Sequence, residues 1–233
     1  MNNLAVLQAL AFEPRKAFEE LDARPRFWWP LLLVVLASGA ISAWYTAFVD
    51  LEWLTDLQLR SSALTQNMTS AEIERLARNA TARQGVSAVI NFIVSTLAVA
   101  VIMLIMALYY SLAGKVTNVQ RGFRHWLALV AWTSTPTLIT LLASAVVLLT
   151  ASSHQLSQSD LQPLSLTALL LHRDASEPGH SLFTSLNLMQ FLSLYLAALG
   201  VRVWSGRSWL FSIVFTALPY VLIYGIWAFF SLR

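Results

Sequence analysis

Five long runs of this chain contain no Asp, Glu, Lys or Arg: Phe27 to Val49, Val86 to Gly114, Trp126 to Ser159, Ser181 to Val201 and Ser208 to Leu232. A hydrocarbon layer of about 30 Å needs about 20 residues at the helical rise, and each run supplies them. Lipid offers no partner to a peptide group, so an isolated segment crosses it as a helix that bonds its own backbone. The pattern predicts an all-α fold, an integral membrane helical bundle with five transmembrane helices. The spans fall at approximately 27–49, 86–112, 126–150, 182–204 and 209–231 of a single membrane domain, 1–233. The third run outlasts a span, so "ASSHQLSQSD" after Thr150 reads as loop.

The first run opens as "RPRFWWPLLLVVLASG", and its small residues near Gly39 raise the alternative of a cleaved signal segment. Against cleavage, the apolar stretch continues through Trp44, Tyr45 and Phe48, and four acids (Glu13, Glu19, Glu20, Asp22) dilute the basic flank. The stretch therefore reads as a retained span. Trp28 and Trp29 suit the headgroup level, Pro30 sits in a first helical turn, and Gly39, Ala43 and Ala47 form a small-residue ridge for close packing.

Between the spans the pattern turns amphipathic. In the N-terminal tail, 1–26, Pro14 suits a helix start, with Phe18 and Leu21 on its face and Arg15, Lys16, Glu19 and Glu20 elsewhere. This is either an interfacial helix on the cytoplasmic surface or a lead-in helix packed on the bundle. In the connection 50–85, Thr69 and Glu72 fit a capping box, and Met68 and Ile73 fit a hydrophobic staple. Ile73, Leu76, Ala77 and Ala80 form a stripe, and Glu74 and Arg78 stand four apart, which together predict a helix around 70–82. Asn67 and Asn79 begin N-x-Thr sequons. The connection 151–181 holds His154, His172, His180, Asp160, Asp174 and Glu177 without helical metal-ligand spacing, so these read as solvated loop residues. "HRD" at 172–174 lacks the phosphate loop and magnesium ligands of a kinase.

Composition agrees with the pattern: 57% of the residues are hydrophobic and 12% charged, against roughly a quarter charged in soluble domains. The absence of cysteine removes disulfides, thiolate metal sites and a cysteine nucleophile. The net charge of +3 does not imply nucleic acid, because the basic residues flank apolar runs and do not line one face. They carry topology instead. With five spans, nine of the Lys and Arg residues belong with the N-terminal tail and the connections near 115–124 and 202–207, and six with the opposite set. The nine lie closer to helix ends, which predicts a cytoplasmic N-terminus, a non-cytoplasmic C-terminus, and 50–85 and 151–181 as non-cytoplasmic loops.

No span carries a full charge, which speaks against a pump. The neutral polar and kinking residues left as candidates are Asn91, Ser134, Thr135, Pro136, Asn187, Gln190 and Pro219. Asn91, with Ser95 and Thr96, reads first as interhelical glue; so do Asn187 and Gln190, three apart on one expected helical face. Pro136 and Pro219 each release the carbonyl four residues earlier, at Trp132 and Phe215, for which Thr133, Thr135 and Thr216 are candidate donors. Each proline follows a tryptophan by ten residues, about 15 Å of rise and thus near the midplane, so spans two–three and four–five are a candidate parallel repeat. The sequence shows no catalytic constellation, metal cluster or cofactor motif, and no cofactor is expected.

The segments "FEPRKAFEELDARP", "LAGKVTNVQRGFRHWLALVAWTSTPTLI" and "LYLAALGVRVWSGRSWLFSIVFTALPY", in this order, resemble the Yip (Rab-interacting protein) family of five-span membrane proteins, in particular its short bacterial branch. The resemblance implies an all-helical membrane protein with a cytoplasmic N-terminus in a bacterial inner membrane, and defines no catalytic residues. Eukaryotic members bind prenylated GTPases through a longer hydrophilic N-terminal region with an acidic-aromatic Gly-Pro motif. This chain has only 1–26 before its first span and lacks that motif, so GTPase binding is not supported. The expected partners are the lipid bilayer and another membrane protein or a second copy of the chain. The expected function is a non-enzymatic scaffold or adaptor, with a small transporter, channel or lipid translocator as the alternative.

Overall fold

The computed structural model describes residues 1–61, 68–172 and 177–232; the Asn67 sequon, Arg173, Asp174 and Arg233 lie outside them. Five helical segments are long and apolar enough to cross a membrane: Trp28–Phe48, Gln84–Val116, Phe123–Thr150, Leu188–Ser205 and Trp209–Ser231. In chain order the helices are α1 (Asn3–Phe12), α2 (Pro14–Ala23), α3 (Trp28–Phe48), α4 (Leu51–Ser61), α5 (Ser70–Thr81), α6 (Gln84–Val116), α7 (Phe123–Thr133), α8 (Thr137–Thr150), α9 (His180–Ser185), α10 (Leu188–Ser205) and α11 (Trp209–Ser231).

Two boundaries depart from the hydropathy reading. The third span is two helices, α7 and α8, separated at Ser134–Pro136 where a kink was expected. The fourth begins at Leu188, because residues 182–185 belong to the short helix α9 and Asn187 is extended, forming an isolated antiparallel bridge with Ser165. A run without charge cannot mark this start, since a polar cap such as Asn187 carries none.

The tail is also more structured than its amphipathic stretch implies. α1 is capped by the Asn2 side chain, which accepts from the Ala5 amide at 2.7 Å, and it folds back on α2. α2 buries Ala17, Phe18 and Leu21 against α7 and α10, and these residues join the bundle core. Pro14 occupies the first turn of α2, as expected.

The core is built around α7. Every residue from Trp126 to Thr133 is buried, and a helix apolar on all sides belongs inside a bundle. α2, α3, α6 and α10 surround it. α6 and the distal half of α11 stay exposed along their apolar lengths, from Val86 to Leu112 and from Val221 to Phe230, the surface a helix presents to lipid tails.

α3 and α6 close along the small-residue ridge. A Cβ on Gly39 would collide with Thr96 Oγ1 and sit 3.0 Å from the Phe92 carbonyl oxygen, so only glycine allows this approach. At the opposite end a second cluster joins Tyr45, Val49, Leu54 and Leu148. The Tyr45 hydroxyl donates to the Leu156 carbonyl at 2.8 Å and Ser144 Oγ to the Leu161 carbonyl at 2.6 Å, binding the 151–166 connection to the spans. His154, expected as a solvated loop residue, is exposed and also takes part in this binding. Its Nδ1 lies 2.6 Å from the Phe48 carbonyl oxygen at the end of α3, which puts the proton on that nitrogen.

α5 follows the expected cap. Glu72 accepts from the Thr69 amide and hydroxyl, each at 2.8 Å, and Thr69 Oγ1 accepts from the Glu72 amide at 3.4 Å. The hydrogen bonds to Thr69 hold the Glu72 carboxyl below its ordinary pKa, against desolvation, with Arg75 adding to them. Ile73 and Ala77 are buried, α5 packs on α4, and Glu74 pairs with Arg78 at 3.6 Å.

Candidate functional site

The seven candidate positions fall in four separate places. Asn91 lies on the α3–α6 seam, where its Nδ2 donates to Thr46 Oγ1 at 2.9 Å; next to it Ser95 Oγ donates to Ser42 Oγ at 2.8 Å. Gln84 extends the seam by donating to the Val49 carbonyl at 2.9 Å and the Thr46 carbonyl at 3.1 Å. These bonds join neutral groups of two spans, the arrangement that makes polar residues act as glue in lipid.

Ser134, Thr135 and Pro136 form the break in the third span. Pro136 leaves the Trp132 carbonyl without its usual amide, and Thr135 supplies both its own amide at 3.2 Å and its hydroxyl at 2.8 Å. Thr133, the other expected donor, bonds the Leu129 carbonyl instead, and Ser134 bonds that of Val130, each at 2.8 Å. The break is thus satisfied within three residues.

Of Asn187 and Gln190, Gln190 bonds across helices as glue does, whereas Asn187 lies outside the helix. Asn187 is the N-cap of α10, its side chain accepting from the Gln190 amide at 2.9 Å, while Gln190 Nε2 donates to the Tyr224 hydroxyl of α11 at 3.0 Å. Pro219 lies inside an unbroken α11. The carbonyl it frees, at Phe215, accepts from the Tyr109 hydroxyl of α6 at 3.0 Å; Thr216 bonds Ser212 and does not serve it. Tyr110 donates to the neighbouring Thr216 carbonyl at 3.4 Å. A proline on one helix and two tyrosines on another therefore make a docking point between α6 and α11.

The densest polar geometry lies elsewhere, at the end of the bundle where α2 meets the α6–α7 connection and the C-terminal end of α10. Arg121 reaches Asp22 through both ends of its guanidinium, Nε to Oδ1 at 2.6 Å and an Nη to Oδ2 at 2.9 Å, and donates to the Trp204 carbonyl at 3.1 Å. This fork matches a carboxylate in both geometry and charge, and raises the Arg121 pKa above its already high ordinary value, with burial opposing. His125 Nε2 lies 3.1 Å from the Asp22 carbonyl oxygen.

Three indoles fasten the same region by donating to main-chain carbonyls: Trp204 to Phe18 at 2.8 Å, Trp126 to Arg121 at 3.1 Å and Trp132 to Arg26 at 2.6 Å. Trp126 is edge-on to Trp204 at 5.8 Å and stacked on Phe215 at 5.6 Å; Phe18 meets Trp204 edge-on at 6.5 Å. Trp29, expected only at the headgroup level, stacks on Trp132 at 5.8 Å, while Trp28 stays exposed. Aromatic pairs of this kind contribute about 0.5–1.5 kcal/mol each beyond their burial. Sequence reasoning treated Arg121 only as a topology charge. The available signal is its setting, a basic residue five positions before a tryptophan that needs an acceptor.

The two hairpins expected to be a repeat share one contact: Tyr110 faces Trp126 at 6.2 Å and Tyr195 stacks on Trp209 at 6.0 Å. Among the described residues no three His, Asp or Glu side chains converge as a metal site. The chain matches the Yip1 domain family over residues 7–230, nearly its whole length. Among curated proteins and solved structures, none matches it.

Proposed function

The chain belongs to the Yip1 domain family, and from that footing we propose that it acts as a non-enzymatic membrane scaffold or adaptor, holding another membrane protein or a second copy of itself, or shaping the bilayer. The observation that carries this reading is the use made of the polar side chains of the spans. Asn91, Gln190 and Tyr109 each bond to a neighbouring helix, so they fix the spans relative to one another, and Thr135 satisfies the break within its own span. The N-terminal helices, seated through Phe18 and Asp22, close one end of the bundle with a structured polar face suited to display. Together these make a rigid body with a defined surface. The reading sets the N-terminus in the cytoplasm of a bacterial inner membrane, following the nine-to-six division of basic residues.

Crosslinking of the full-length protein in its native membrane, followed by identification of what is joined to it, is expected to return a reproducible membrane-protein partner or the chain itself. Recovery of neither removes the scaffold reading. A second reading, a small transporter, channel or lipid translocator, draws support from the divided third span, since interrupted helices border many transport sites. Reconstituted liposomes distinguish the two. Solute flux or lipid flip that Pro136→Ala abolishes favours translocation, and its absence favours the scaffold.

A further inference from the structure

Two hollows lie along α10, one at its C-terminal end and one beside its middle. One, of about 330 Å³, is lined by Arg15 of α2, Arg202 of α10 and Gly206 and Arg207 of the α10–α11 connection. The other, of about 410 Å³, is an apolar groove on the outer side of the same hairpin, lined by Tyr195, Ala198, Trp209 and Ile213. Trp209 joins them: its ring stacks on Tyr195 at 6.0 Å and lies under the Arg202 guanidinium at 4.6 Å. Arg207 is held in the same way, 4.5 Å over Phe211, and donates to the Thr117 carbonyl at 2.6 Å. Two guanidiniums are thus aligned on aromatic faces, while the third, Arg15, pairs with Glu19 at 3.2 Å through two largely exposed side chains, a bond of little worth.

We infer that these hollows form one site for an anionic phospholipid, the phosphate among Arg15, Arg202 and Arg207 and an acyl chain in the groove between α10 and α11. The chemistry of the lining selects this occupant. The groove runs along two helices that are themselves spans, so the molecules beside it are lipid tails. Its upper end opens on guanidiniums, whose fork suits phosphate oxygens, and basic pockets between spans hold anionic headgroups in this way. From Trp209 to Thr216 α11 rises about 10 Å, enough to seat the upper part of a chain. The site depends on the chain lying in a membrane and not on the scaffold reading.

The test is native mass spectrometry of the full-length protein released from nanodiscs of phosphatidylcholine containing phosphatidylglycerol. Retention of one phosphatidylglycerol per chain is expected, with phosphatidylcholine not retained. Arg202→Gln should lower that retention about tenfold, the equivalent of one charge-assisted contact, and Arg24→Gln, the same charge loss on an exposed residue outside the pocket, should not. Ile213→Trp fills the groove without touching the arginines and should also release the lipid; it serves as the test if the arginine variant fails to fold. Equal loss with Arg24→Gln overturns the site in favour of diffuse attraction. Displacement by millimolar inorganic phosphate with no effect of Ile213→Trp overturns it in favour of a free-phosphate pocket, and equal retention of phosphatidylcholine overturns it altogether.

Discussion

Asp22 and Arg121 illustrate how much one partly buried pair does in a protein whose charge is kept to its ends. Their side chains are 31% and 29% exposed, and the pair joins α2 to the α6–α7 connection across 99 residues of chain. Asp22→Asn keeps the shape and removes the charge, leaving Arg121 with the Trp204 carbonyl and a neutral amide. The expected loss is about 1–3 kcal/mol of stability in detergent, followed by denaturant unfolding, and Arg121→Gln in the same background should add little. Additive losses would mean that the two residues act independently. Neither residue stood out in the sequence, because a charge flanking a span reads as topology until its partner is known. Asn187 stood out as a polar residue but not as a cap, because its side-chain oxygen caps α10 in a run where hydropathy registers only the absence of charge. His154, in contrast, was visible as a histidine but not as the residue that closes α3.

Helices were legible where local chemistry alone determines them. α5 follows from its capping box because Thr69 and Glu72 are three residues apart, and the spans follow from length. α1 was not legible: "NLAVLQALAF" is apolar on every side, too short to cross lipid, and kept in place by α2. The cap of α5 also predicts a pH dependence. A carboxyl whose pKa is lowered by folding stabilises the helix fully above the unfolded value, about 4.3, and loses that contribution as pH falls through the folded value. Amide protection of α5 should therefore fall in acid below that range, and Glu72→Gln, which still caps without a charge, should flatten the response. Between α6 and α11 the prediction is a coupling. Tyr109→Phe strands the Phe215 carbonyl and should cost about 1 kcal/mol, whereas in Pro219→Ala, where residue 219 regains an amide for that carbonyl, the same change should be nearly neutral.

For the molecule as a whole, the absence of cysteine makes orientation directly measurable. Ser70, Gln120 and Gln158 are well suited to single cysteines, since Ser70 opens α5 and the other two lie in exposed connections. With the N-terminus in the cytoplasm, the cysteine at Gln120 should be protected from an impermeant maleimide in intact cells while those at Ser70 and Gln158 react; the reverse pattern would invert the orientation. The enclosure of α7 has a further bearing on how the chain is made. The ribosome delivers α1 and α2 first, yet Phe18 awaits Trp204, 186 residues downstream, and α7 leaves the translocon before α10 exists to cover it. Until synthesis reaches the fourth span, the face of α7 that α10 covers is open and α2 lacks the part of its seat that Trp204 supplies. Part of the folding therefore waits on insertion of the fourth span, and the later helices decide when the earlier ones come to rest.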